Sequence, residues 1–172
     1  MTQRTATHYP NQVRASGTVS LITAPESMWE ILSRPAAMVS WMTELHTCTS
    51  QTSDQLNVGR ALTAQLQLFN MLHEVELLVT EYRPTRSWTM TCDAGSGIVA
   101  SFSVRLEQVR DYSKTTLHNS LSGPSLLGAD FIVLHSAIQF ALDLSLRRLV
   151  DIAHSAAADP MSDARAGEPT RC

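Results

Sequence analysis

The strongest constraint on the fold is a one-sided apolar stripe near the C-terminus. From about Ser125 to His154, the residues Leu127, Phe131, Leu134, Ile138, Leu142, Ser145, Leu149 and Ile152 recur at spacings of three and four, the period of an α-helix with one buried face. A helix of that span is on the order of 40 Å long at ~1.5 Å per residue. Its apolar face needs a partner of similar length, and six or seven strands ~4.8 Å apart supply one. Asp130 near its start and Arg147 and Arg148 near its end suit the helix dipole.

Strand patterns precede the stripe. Six segments between His46 and Gly123, at about 46–53, 59–69, 72–82, 86–93, 97–109 and 113–122, are separated by Gly, Pro, Asn and Asp turn signals, as in an antiparallel meander. Alternation is clearest in Val75, Leu77, Val79; in Trp88, Met90, Cys92; in Ile98, Ala100, Phe102, Val104, Leu106; and in Leu117, Leu121. These positions are expected on the concave face. In 59–69 the glutamines 65 and 67 alternate with Leu66 and Leu68, and the leucines are taken as inward. A further strand at 13–23 places Val13, Ala15, Gly17, Val19 and Leu21 on one face. Two short helices follow: Pro25 and Glu26 suit a first helical turn, and Pro35 restarts the chain before Met38, Trp41, Met42 and Leu45.

Residues 1–12 and 155–172 are small, polar and Pro-containing without apolar period, and read as flexible tails around one domain at 13–154. The apolar fraction of 44% suits a globular core. A net charge of -3 with no basic run argues against a nucleic-acid partner. No stretch has the ~18 apolar residues of a membrane span and no signal core opens the chain, so a cytoplasmic protein is expected. Cys48, Cys92 and Cys172 are widely spaced and expected as free thiols, and the six histidines lack metal-ligand spacing. No phosphate loop, dinucleotide fingerprint or nucleophile elbow occurs; neither metal nor cofactor is implied.

The order strand, two short helices, six strands, long helix coincides with specific local wording. The run GTVSLITAPESMWEILS at 17–33, Trp41 after the second helix, Val58-Gly59-Arg60 opening a strand, VTEYRP at 79–84 and the strand from Thr115 to Gly123 together resemble the SRPBCC superfamily, particularly its polyketide cyclase/dehydrase branch. The resemblance covers about residues 13–153. It implies an α+β helix-grip (START or Bet v 1-like) fold: a curved seven-stranded antiparallel sheet, two short helices and a long C-terminal helix enclosing a hydrophobic cavity. It also implies a hydrophobic small-molecule ligand. The superfamily includes polyketide aromatases and cyclases, lipid and hormone carriers, and co-chaperones.

Trp41, Leu66, Val75, Leu77, Trp88, Met90, Phe102, Leu117, Phe131, Ile138 and Leu142 are the apolar positions expected against a ligand. The candidates for chemistry are the polar exceptions. Asn119 is the one strongly polar side chain on its inward face, available to a ligand or to a neighbouring strand. His135 stands about 60° from the centre of the helical stripe, at a pocket rim or as a structural histidine, and its imidazole can move a proton near neutral pH. His73 and Glu81 share a strand face with Val75, Leu77 and Val79; Glu81 is a candidate base or a strand-end hydrogen-bonding group. No arginine falls clearly on an inward position, unlike in the superfamily's aromatase/cyclases, so ring closure by folding a flexible chain is favoured over specific acid–base chemistry. The leading reading is a cyclase-like enzyme of secondary metabolism. Its rivals are a carrier of a lipid or other apolar metabolite and a protein-interaction module, with the protein a monomer or homodimer.

Overall fold

The computed structural model describes residues 11–50, 55–68, 71–126 and 130–158. Strand β1 (Gln12–Leu21) leads to helices α1 (Pro25–Ser33) and α2 (Pro35–Trp41). Strands β2 (Leu45–Thr49), β3 (Ala61–Leu68), β4 (Met71–Arg83), β5 (Ser87–Asp93), β6 (Val99–Val109) and β7 (Tyr112–Ser122) follow, then helix α3 (Phe131–Ala158). The strands form one antiparallel sheet in the order β1-β7-β6-β5-β4-β3-β2. With the three helices this is the α+β helix-grip fold expected from the sequence.

Local chemistry sets the element ends. Arg34, extended because a proline follows it, caps α1 and starts α2. Helix α3 begins six residues later than its apolar period suggests, because Asp130 is its N-cap: Oδ1 accepts from the backbone N–H groups of Ile132 (2.9 Å) and Val133 (3.1 Å). Pro124–Leu126 instead form one 3₁₀ turn, and Leu127 lies outside the described residues. At the other end α3 continues to Ala158, four residues past the expected domain boundary; the rest of the expected tails lies outside the described residues, apart from Asn11 and Gln12. The β6–β7 turn falls on Arg110 and Asp111, with Val109 paired to Tyr112, so the connection is one residue shorter than expected and lies just ahead of the turn signal at 111–113.

The core fills one end of the space between sheet and helices. Trp41, Trp88, Met28, Leu32 and Met38 are buried there, and burying each such side chain contributes roughly 1.5–3 kcal/mol. Both indoles also satisfy carbonyls at the end of α1: Trp41 Nε1 donates to Ile31 (3.1 Å) and Trp88 Nε1 to Leu32 (2.9 Å). From Leu142 onward α3 seals this core, with Leu142, Leu149 and Ala153 buried. It approaches β1 closely because Gly17, buried and without a Cβ, leaves room for Leu142 and Leu146.

The N-terminal half of α3 behaves differently. Phe131, Leu134 and Ile138 are only partly buried, and Ile132, Val133 and Phe140 are exposed by 80, 62 and 65%. The apolar stripe is continuous in sequence but seals the sheet along only part of its length.

Candidate functional site

A cleft of about 660 Å³ opens where α3 stands off the sheet. That lies within the ~300–1,000 Å³ typical of small-molecule sites. Phe102 from β6, Leu121 from β7, Leu68 at the end of β3, and Leu134 and Ile138 from α3 form its apolar walls. Phe140, Leu144, Gln67 and Arg148 also line it, and Glu44 and Asn119 bring polar groups to its floor. Beneath these two, a void of about 10 Å³ continues toward Trp41, Trp88 and Leu117.

Glu44 is the residue that the sequence did not single out. It sits in the turn between α2 and β2, where its backbone carbonyl accepts from Gln67 N–H (2.7 Å) and fixes the turn to β3. Its carboxyl is buried, 9% exposed for the whole residue. Asn119 Nδ2 donates to Oε1 at 2.9 Å, Thr43 Oγ1 to Oε2 at 3.2 Å, and Ser145 Oγ lies 3.4 Å from Oε2. Burial pushes the Glu44 pKa up from the ordinary carboxylate value, against the downward pull of backbone, Thr43, Ser145 and Asn119 hydrogen bonds. None of these influences is a charge, and no ion pair among the described residues engages it.

The two hydroxyls make the site tolerant of either protonation state. Thr43 Oγ1 and Ser145 Oγ lie 2.7 Å apart, and both reach the Ala141 carbonyl, at 2.7 and 3.0 Å. Ser145 also accepts from the Thr43 N–H at 3.0 Å. Rotating the hydroxyls presents either a donor or an acceptor to Oε2. Ser145, the polar member of the α3 stripe, is thus explained by the carboxyl opposite it, and was the sequence signal that a polar partner lay there.

Asn119, Phe102 and Ile138 come together at the cleft. Leu66, Val75, Leu77, Trp88, Met90, Leu117, Trp41 and Leu142 are buried in the core instead; of these, Trp41, Trp88 and Leu117 reach only the small void. Phe131 packs half-buried at the edge of the core, and His135 is half-buried on α3; neither is part of the cleft lining. Glu81 departs most from expectation. A bulge between Val79 and Glu81 shifts β4 by one residue, pairing Glu81 with Thr89 on the outer face and Tyr82 with buried Trp88 on the inner one. Tyr82 then packs against Trp29, ring centroids 5.9 Å apart. His73 keeps the inward phase opposite Leu66, and its Nε2 is buried with no hydrogen-bond partner among the described residues.

A groove of about 710 Å³ on the outer side of the sheet holds Glu81 with Glu26 and Glu107, beside Arg83, Arg86 and Arg105. Its charges balance and it has no apolar wall formed by α3, so it lacks the chemistry of the inner cleft. Among the described residues no three His, Cys, Asp or Glu side chains converge on a metal site, and no helix is long and apolar enough to cross a membrane.

No family model and no curated protein matches the sequence. Solved structures do match the fold. A START superfamily protein from Mycobacterium smegmatis superposes with a TM-score of 0.66 at 11% identity, over 83% of this chain and 98% of that one. A conserved protein from Geobacillus kaustophilus gives 0.66 at 13% identity over 84% and 97%, and major latex-like protein 151 from Panax ginseng gives 0.62 at 9% over 83% and 97%. The chain has the helix-grip fold of the START and Bet v 1-like superfamily.

Proposed function

We propose that this protein binds a hydrophobic small molecule in the cleft between α3 and the sheet, and that it acts there as a cyclase-like enzyme on a polyketide-type intermediate. The observation that carries the reading is the joining of apolar walls, Phe102, Leu121, Leu134 and Ile138, with a polar floor of Glu44 and Asn119. The walls hold a flexible chain folded, and orientation alone is worth up to ~7–11 kcal/mol of barrier. The resemblance to the polyketide cyclase/dehydrase branch supplies the substrate class. A cytoplasmic location accords with this role.

Two measurements test it. Ile138→Trp fills the cleft and is expected to abolish binding of the uncharged probe N-phenyl-1-naphthylamine while leaving the circular dichroism spectrum intact; undiminished binding places the ligand elsewhere. Incubation with a linear poly-β-ketone then reads the chemistry. A cyclised product forming at the same rate and with the same regiochemistry without protein removes the enzyme reading. The second reading, a non-catalytic carrier, is favoured by exposed Phe140 beside the cleft, and predicts exchange of many unrelated apolar ligands with no turnover.

A further inference from the structure

Glu44 and Asn119 form a pair whose donors can be counted. With Glu44 neutral and Asn119 bonded to Oε1, the second Asn119 N–H has no partner among the described residues, while the carboxyl O–H on Oε2 is taken up by the Thr43 or Ser145 hydroxyl. Turning the Asn119 amide over lets the carboxyl O–H bond Oδ1 and frees both amide N–H groups. The cleft thus meets one N–H with the amide as placed and two with it turned over. With Glu44 ionised, one N–H remains beside a negative charge.

We propose that the Glu44–Asn119 pair selects the ligand by presenting Asn119 N–H groups to one uncharged oxygen acceptor, so that the cleft takes apolar molecules bearing a carbonyl group and rejects carboxylates. This rests on the inner cleft being the binding site. Burial supports it, since it favours the neutral carboxyl. The charged and titratable groups around Glu44 are few. Arg148 on α3 lines the cleft, with Asp143 bonded by Gln139 and His135 farther along that helix. His73 faces inward from β4, and His46 on β2 is bonded to Gln67. No such group comes from β6, and the β7 neighbour His118 lies on the opposite face from Asn119.

The test compares four naphthalene probes by calorimetry on the full chain between pH 5 and pH 9: 2-acetylnaphthalene, 2-ethylnaphthalene, 2-naphthoate and 2-(aminomethyl)naphthalene. The ketone is expected to bind on the order of tenfold tighter than the hydrocarbon at the acid end, about what one retained hydrogen bond provides. This advantage declines as pH rises through the Glu44 titration, and naphthoate binds weakest throughout. Glu44→Gln, which still donates to Asn119 Oδ1, keeps the ketone preference but loses its pH dependence; Asn119→Leu brings ketone and hydrocarbon level. Should Asn119→Leu fail to fold, the pH profiles of wild type and Glu44→Gln decide. Equal ketone and hydrocarbon affinity at every pH overturns the selection while leaving the cleft as a binding site. Tightest binding of the amine, strengthening with pH, overturns it in favour of an anionic Glu44. No binding of any probe removes the underlying cleft reading as well.

Discussion

Replacing Gly17 with Val tests how α3 is seated. A Cβ at Gly17 would lie 2.6 Å from both Leu142 Cδ2 and Leu146 Cδ1, while ordinary contact begins at 3.4 Å, so each leucine end must retreat by about 0.8 Å before the two γ-methyls are placed. Leu142 is fully buried. Overpacking of this kind costs ~1–3 kcal/mol, and two added methyls favour the upper end. Loss of glycine's unfolded-state freedom returns about 0.5–1 kcal/mol. The expected net loss is about 2 kcal/mol, or a fall in Tm of roughly 4–8 °C at ~2–4 °C per kcal/mol. Reversible urea and thermal unfolding followed by circular dichroism read this directly. Leu146→Ala in the same chain relieves the clash, so the double variant should lose about 1 kcal/mol less than the sum of the single losses. An unchanged or raised Tm for Gly17→Val, with additive effects in the cycle, would show that the helix does not rest on this glycine.

Other consequences are equally measurable. Because the Glu44 pKa is raised on folding, the unfolded chain releases this proton first; Glu44's contribution is greatest below the ordinary carboxylate range and is lost as pH rises through its folded titration. Each pH unit in that window costs about 1.4 kcal/mol, and Glu44→Gln should flatten this part of the stability–pH curve. Trp88→Phe removes the 2.9 Å bond to the Leu32 carbonyl and part of a buried ring, and a loss of about 2–3 kcal/mol is expected in urea unfolding. Burial raises the Cys48 and Cys92 thiols to about 11, with Asp93 adding to the effect at Cys92, so a thiol titration at neutral pH should gain two reactive groups on denaturation. His118 is held below the ordinary imidazole value by desolvation and then by the Arg105 charge; Arg105→Gln should raise its NMR titration midpoint.

Most of the architecture could be read from periodicity, because both the strands and the last helix bury one face against the other. What periodicity could not reveal are features that break it or fall between periods. A single extra residue at the β4 bulge reverses the facing of Glu81, and no alternation announces a bulge. Glu44 lies in a turn, where neither a two-residue nor a 3.6-residue period assigns a side. The split between solid core and open cleft depends on how far α3 lifts from the sheet. A sequence stripe carries no information on that separation, so buried Trp41, Trp88 and Leu142 and cleft-lining Phe102 and Ile138 look alike in sequence.

Helix α3 joins two territories with different obligations. The stretch from Leu142 through Leu149 is committed to the core and tolerates little change. Leu134 and Ile138 lie outside that commitment, only partly buried on the cleft wall. Mutational drift can therefore reshape the cleft at these positions at small thermodynamic cost. A lineage built on this scaffold can change the shape and polarity of the space beside the sheet by altering a single helical turn, without first acquiring compensating stability elsewhere.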